Sequence, residues 1–467
     1  MLTAENCPTD EGAAEVLGQV CSRRKIPGAV LGVMVDGEVV ARATFGLANA
    51  ATGLPVSDET IFHAGSIGKV YTATVLMTLV DEGSVDLDAP VKNYMQDFEL
   101  ADGNATKSVT IRQLLTHTSA IDGDALDEEG NYGRGDDCLE RYVADMNNLP
   151  MIAEPGSLWS YCNSGYILLG RLIEVITGST YEDAMSERLL QPLGLQKTFY
   201  FPEQVMPHSF AVGHIPNPEG PPNVSPIWAF NRAAHPAGGN ISTTIDELLA
   251  FGRLHLNGGV APDGTRILSE DSVRAMQTAA APCPEPELLG DQWGLGWFLR
   301  TQAGPATVAH DGNTHGQTAG LRLIPDRDAV VGILTNLSGQ NYAFMEIAHE
   351  LIDPWLGTQT PGKSQGSRPA SPPDANRFVG LYEKLGGRIR VSLQDGVLHA
   401  TVEPTGAQAE MQEADPKPRS LKTVSEDRFL MPIEEIGDEM PLTFLHPDAK
   451  NEPRFVHFGG RAFPRVQ

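Results

Sequence analysis

Apolar and polar positions along this chain switch between two periods. In "GAVLGVMVDGEVVARATFG" two apolar runs flank Asp36-Gly37, which predicts a β-hairpin. "THGQTAGLRLIPDRDAVVGILTN" predicts two more strands around a turn at Asp326-Arg327-Asp328. Between these terminal strands the period lengthens. "IRQLLTHTS" reads as helix, and so does "NSGYILLGRLIEVITG", where Leu168, Leu169, Leu172, Ile173 and Ile176 recur at helical spacing and Gly178 is the stop. "STTIDELLAFGRLHLNGG" opens on a Ser/Thr cap with Asp246 and Glu247 in its first turn, and ends at Gly258. Strands at both ends with helices between predict a sheet assembled from the two ends of this unit, with a helical subdomain. Residues 357–375, rich in Pro, Gly and Ser, read as a linker. Beyond it, "RFVGLYE", "RIRVSLQDGVLHATV", "DRFLMPI" and "RFVHFGG" predict short strands of a small β-barrel or sandwich.

A length of 467 residues suits two domains, and 41% hydrophobic with 20% charged residues suits a globular chain. The formal net charge of -26 argues against nucleic acid or an anionic membrane as partner. The amino terminus shows no secretory leader, and no run has the length of a membrane span. Cys7, Cys21, Cys138, Cys162 and Cys283 are scattered and lack a C-x-x-C, so reduced thiols and a cytoplasmic location are expected.

Candidate chemistry begins in "IFHAGSIGKVYTATVLMTLVDEG", where Ser66 precedes Lys69 by three residues. Residues i and i+3 share a helix face. A lysine made neutral by desolvation can serve as base for a serine hydroxyl. Taken alone, the pair fits a capping serine and a surface lysine better. Two further clusters shift that balance. Tyr161 and Asn163 form the only Y-x-N of the chain, just before a predicted helix, and His310-Asp311-Gly312 ends an apolar run.

This trio, in this order, resembles the serine β-lactamase and penicillin-binding-protein superfamily. The branch it is most similar to holds class C-type esterases, D-aminopeptidases and related hydrolases whose third motif begins with His. "TIRQLLTHTSAIDG", "PLGLQKTFY", "PAGGNISTTIDELLAF" and "WGLGWFL" add to the likeness, which spans roughly residues 12–355. From Phe378 the tail resembles, more weakly, the lipocalin-like barrel that some members append. The resemblance implies an α/β (α+β) β-lactamase/transpeptidase-like fold, an antiparallel sheet flanked by helices with a helical subdomain. The implied division is a catalytic domain at 1–356, the linker at 357–375 and a lipocalin-like barrel at 376–467. It also implies that Ser66 becomes acylated, that Lys69 and Tyr161 form a coupled base pair, and that Asn163 holds the acyl-side amide and Lys69. The N–H groups of Ser66 and Asn313 would form the oxyanion hole, and Asp311 and Gly312 would border the substrate. No metal or cofactor is implied.

Where penicillin-recognising members carry Lys-Thr-Gly, this chain has His310, mostly neutral at pH 7, so recognition of a penicillin carboxylate is weakened. His315 is a second candidate, and Cys162 is expected to be a packed small residue. Residues 122–145 carry nine carboxylates against two arginines; a solvated loop or a border suited to a cationic substrate both fit. "HELID" lacks the second histidine of a zinc motif, and there is no G-x-S-x-G.

Three functions are in play. The first is a serine hydrolase of small-molecule or peptide esters and amides, D-configured residues included. The second is a stand-alone penicillin-binding-protein-type thioesterase that passes the acyl group to an amine and cyclises a peptide. The third is an inactive binding protein on the same fold. The C-terminal barrel could bind ligand, cover the site or mediate homo-oligomer assembly.

Overall fold

The computed structural model describes residues 8–124, 132–217, 219–301, 306–356, 372, 374–406, 416–434 and 437–466. Most of the expected linker at 357–375 lies outside them. The two predicted hairpins are present and adjacent. Gly28–Val35 pairs with Glu38–Asn49 on one side and with Ala329–Thr335 on the other, Gly32 standing opposite Gly332. The first turn runs through Asp36 and Gly37, at φ 51° and 82°, the left-handed pair a tight hairpin requires. The sheet continues through Thr318–Ile324, Thr307–Asn313 and Phe298–Arg300 to two short edge strands, and Leu54–Pro55 borders Glu38–Asn49 at the other edge, nine strands among the described residues and antiparallel wherever paired.

Gly28–Val35 is apolar throughout because both of its faces are covered. Leu31 and Val33 join the core with the helix Asp10–Arg24 and the segment from Asn341 to Leu356. Val30 turns instead to the core that holds Ile245–Leu256. Gly32 is needed on that face: a Cβ there would lie 2.7 Å from the Leu249 side chain. Ile245–Leu256 begins as expected at Thr244, but the Thr244 side chain makes no capping bond. Glu247 is drawn off as well, accepting the N–H groups of Gln196 and Lys197 at 2.7 Å. The helical subdomain is built around Gly68–Asp81, buried on every side as befits a core helix.

The tail forms its own unit around Phe378, Tyr382, Phe429, Phe444 and their neighbours. The four predicted segments hold five strands, Gly380–Lys384, Gly387–Gln394, Val397–Pro404, Arg428–Ile433 and Pro453–Phe458; Asp438–Pro447, Arg461–Pro464 and the short pieces at 419–423 are added. A four-stranded and a five-stranded sheet share the segment 419–423, which pairs first with Val397–Pro404 and then with Arg428–Ile433. The other seam closes where Tyr382 bridges Arg465 and the Val466 N–H donates to the Leu381 carbonyl. The result is a closed barrel whose interior is filled by aromatic rings.

The barrel is seated on the rest of the chain. Phe455 and Ala462 pack with Ala120, Ile152 and Leu158, while Glu285 meets His457 at 2.7 Å with both side chains wholly buried. Arg24 reaches Asp438 at 2.9 Å.

Candidate active site

Ser66 sits in the short 3-10 turn Gly65–Ile67 that feeds into Gly68–Asp81, which places Lys69 one turn further on the same face. Lys69 is fully buried, and its Nζ donates to Ser66 Oγ at 3.1 Å and to the Ala237 carbonyl at 2.5 Å. Tyr161 comes from a distant segment to the same place. Its ring centroid lies 4.8 Å from Lys69 Nζ, and its phenol is close enough to Ser66 to feel its hydroxyl. Burial raises the phenol above its ordinary value and outweighs the opposing effect of the Ser66 contact, so the resting side chain is the neutral phenol. Cys162 is a buried thiol in no disulfide, packed as expected.

Two histidines line this aromatic floor, both uncharged. His117, which the sequence did not single out, stacks on Tyr161 at 4.1 Å. Its Nδ1 accepts the Cys162 N–H at 3.1 Å, which puts the ring proton on Nε2. Burial first, and Lys69 second, push it well below its ordinary pKa. His310 carries its proton on Nδ1, donated to the Asp311 carbonyl at 2.6 Å. Burial and the neighbouring Lys69 charge bring it down to about 3.

Strand alternation sorts the third motif. His310 and Gly312 face the serine, whereas Asp311 turns to the opposite face. There its carboxylate pairs with Arg322 and accepts from Asn341 Nδ2 at 3.3 Å. The expectation that Asp311 borders the substrate is therefore corrected: it braces the far side of the sheet. The Asn313 side chain also goes that way, donating to Asn341 Oδ1 at 2.9 Å. Gly312 lets the strand press on the serine turn, since a Cβ would fall 1.9 Å from the Ala64 carbonyl oxygen. This close approach brings the main chain of Asn313 beside that of Gly65 and Ser66.

Over Ser66 opens a cavity of about 600 Å³, to which Asn163, Asn313 and His315 contribute from the catalytic side. Its opposite wall belongs to the barrel. The Y-x-N segment is splinted by the Gly459–Ala462 hairpin. The Tyr161 N–H donates to the Gly460 carbonyl at 2.9 Å, and the Ala462 N–H donates to Ser160 Oγ at 3.1 Å. The Arg461 guanidinium lies 4.8 Å from the Tyr161 ring centroid and pairs with Asp124 at 2.8 Å, while Asp124 accepts the Asn163 N–H at 3.0 Å. Burial alone would raise the Asp124 carboxyl, but Arg461 and Lys384 hold it well below the usual carboxylate range. Glu285 in turn accepts the Gly460 N–H at 3.0 Å.

The acidic stretch at 122–145 thus has internal partners. Asp122 pairs with Lys384 at 3.2 Å, Asp136 with Arg232 at 2.8 Å and Asp137 with Arg141 at 2.7 Å. Residues 127–129 lie outside the described residues. Among those described, no group of three or more His, Cys, Asp or Glu could hold a metal ion, and no helix is long and apolar enough to cross a membrane.

Known proteins resemble this chain in sequence and fold. The beta-lactamase family model matches residues 11–352. Penicillin-binding protein 4 of Amycolatopsis lactamdurans is 38% identical over 365 residues, which is 78% of this chain and 94% of that protein. Esterase EstB of Burkholderia gladioli is 29% identical over 325 residues, 63% of this chain and 80% of its own. The crystal structure of SurE covers 98% of this chain and 99% of its own at a TM-score of 0.77 and 26% identity, and a second SurE structure, with D-Leu, superposes at 0.75. The chain belongs to the beta-lactamase family of serine hydrolases.

Proposed function

We propose that this protein cleaves carboxylic esters and amides through an acyl-enzyme on Ser66. One observation carries the reading: Lys69 Nζ and the Tyr161 phenol converge on Ser66 Oγ at the floor of a substrate-sized cavity. With Lys69 as the free amine, the 3.1 Å contact reverses and the Ser66 hydroxyl donates to Nζ. Oγ then bonds to the substrate carbonyl carbon as Nζ takes the proton. The carbonyl oxygen, now an anion, faces the N–H groups of Ser66 and Asn313, each such donor contributing roughly 3–4 kcal/mol in comparable sites. Tyr161 gives its proton to the leaving oxygen or nitrogen as that bond breaks, and regains one from Lys69. Water, deprotonated by the same pair, releases the acid. Asn163, on the cavity wall, is assigned to the amide of the acyl group.

A neutral His310 offers no cation to a penicillin carboxylate, which favours esters, amides and peptides. D-Leu in a SurE structure supports a D-configured residue in the substrate. The likeness to SurE runs through the barrel as well as the catalytic part, and favours a second reading. In it an amine of the substrate, rather than water, attacks the acyl-Ser66 carbonyl and closes a ring, as in the thioesterases this sequence resembles.

Turnover of p-nitrophenyl acetate and of D- and L-leucine p-nitroanilide, beside a peptidyl thioester whose product is scored as acid or ring, tests both readings. The Ser66→Ala variant should lose all of these activities. Retained turnover in that variant would overturn the assignment.

A further inference from the structure

We propose that the barrel wall of the cavity is an apolar subsite for an uncharged part of the acyl group, remote from the scissile carbonyl. This rests on the acyl-Ser66 reading and adds the substrate chemistry that reading leaves open. Two independent observations carry it.

The first is where exposed apolar surface gathers. Large apolar side chains left singly on a surface need no explanation, whereas a cluster does. Nine such side chains are exposed among the described residues, and three of them, Ile227, Leu385 and Val402, line this cavity at 37%, 38% and 36% exposure. Ile227 belongs to the catalytic side and the other two to the barrel. Phe230 joins them, its ring stacked on His315 at 4.3 Å. Phe463 is part of the barrel core and also lines the cavity, so the cavity reaches the mouth of the barrel. Leu385 is fixed in place, its N–H donating to Asp122 at 2.7 Å.

The second observation is charge. Among the described residues, four side chains lining the cavity carry a formal charge, and each has a partner of opposite sign. Arg461 meets Asp124 at 2.8 Å, Lys384 meets Asp122 at 3.2 Å and Asp124 at 3.8 Å, and Glu403 meets Arg390 at 3.5 Å. A charged substrate group would have to separate one of these pairs or enter without a counter-ion, both unfavourable in a partly dehydrated cavity. An apolar group instead covers Ile227, Leu385 and Val402 and gains from their burial.

N-acetylcysteamine thioesters of tetrapeptides test this. They are identical except for Leu, Ser, Asp or Lys at the second or third residue from the thioester. At one of these positions the unaltered enzyme should favour Leu over Ser by about tenfold in kcat/KM, with Asp and Lys below Ser. In Leu385→Ser or Val402→Ser the Leu-to-Ser ratio should fall to about threefold or less. A ratio does not depend on how much of a variant folds. A ratio near one in the unaltered enzyme, a preference for Asp or Lys, or a ratio unchanged in both variants would overturn the proposal while leaving Ser66 chemistry standing. Absence of any acyl adduct on Ser66 would instead sink the acyl-enzyme reading, and the subsite with it.

Discussion

Tyr161 is a phenol held between the Lys69 amine and the Arg461 guanidinium, each 4.8 Å from its ring centroid, and burial keeps it protonated. Its part is therefore to deliver a proton, and Tyr161→Phe should lower kcat by about 10²–10⁴-fold with KM little changed, in steady-state kinetics on an ester. A variant that keeps more than a tenth of wild-type kcat would remove Tyr161 from the proposal. His310 gives a second prediction at this scale. Because it stays neutral down to about pH 3, kcat/KM should show no inflection from it near pH 6.5. An inflection there that vanishes in His310→Asn would contradict the geometry. Spacing alone favours a capping serine and a surface lysine; it is the resemblance carried by the three motifs together that groups Ser66, Lys69, Tyr161 and His310, which lie close together in the fold. The same strand alternation that aims His310 at the serine separates it from Asp311, a distinction the bare motif does not make.

Among the elements, the hairpin Gly459–Ala462 holds most of what the sequence concealed. The sheet made from two distant strand pairs was legible, since each hairpin carries its own turn signal at Asp36-Gly37 or Asp326-Asp328. Strand Asp438–Pro447 was not, because Pro441 and Pro447 break the apolar alternation that marks a strand. Nor does any local pattern connect Arg461 with Asp124, 337 positions apart. Arg461→Ala would leave the Asp124 carboxylate with Lys384 alone and take the guanidinium off the Tyr161 ring. The expected result is a kcat more than tenfold lower and a stability loss of about 1–3 kcal/mol, discounted because 31% of the Arg461 side chain meets solvent. Arg461→Lys should restore stability better than kcat, since an ammonium keeps the charge but not the planar face. Equal recovery of both, by thermal melts and kinetics, would reduce the hairpin to a structural strut.

For the molecule as a whole, the barrel and the catalytic part both line the cavity over Ser66 and pack against each other. Deleting residues 357–467 would uncover Ala120, Ile152 and Leu158 and strand the buried Glu285 without His457. Loss of activity together with aggregation is the predicted outcome in light scattering; a soluble, fully active fragment would show that the barrel is dispensable. Acid should also weaken the fold. His63, His255 and His310 are each brought down to about 3, chiefly by burial. An unfolded histidine near 6.5 takes its proton first, so this stability is complete above about pH 6.5 and is lost as pH falls toward 3, about 2 kcal/mol per histidine by pH 5. His255→Gln, which carries no part of the proposed chemistry, should shrink the loss between pH 7 and 5 by about that amount in urea melts. An unchanged pH dependence would mean that His255 is not buried as a neutral ring.

The most direct measurement is the intact and peptide mass of the enzyme quenched in acid after mixing with an activated ester. Acylation at Ser66 should give one acyl group per chain, on the peptide that contains Ser66, building up slowly in Tyr161→Phe and absent in Ser66→Ala. An acyl group on a different residue, or turnover with no adduct under any quench time, would contradict it.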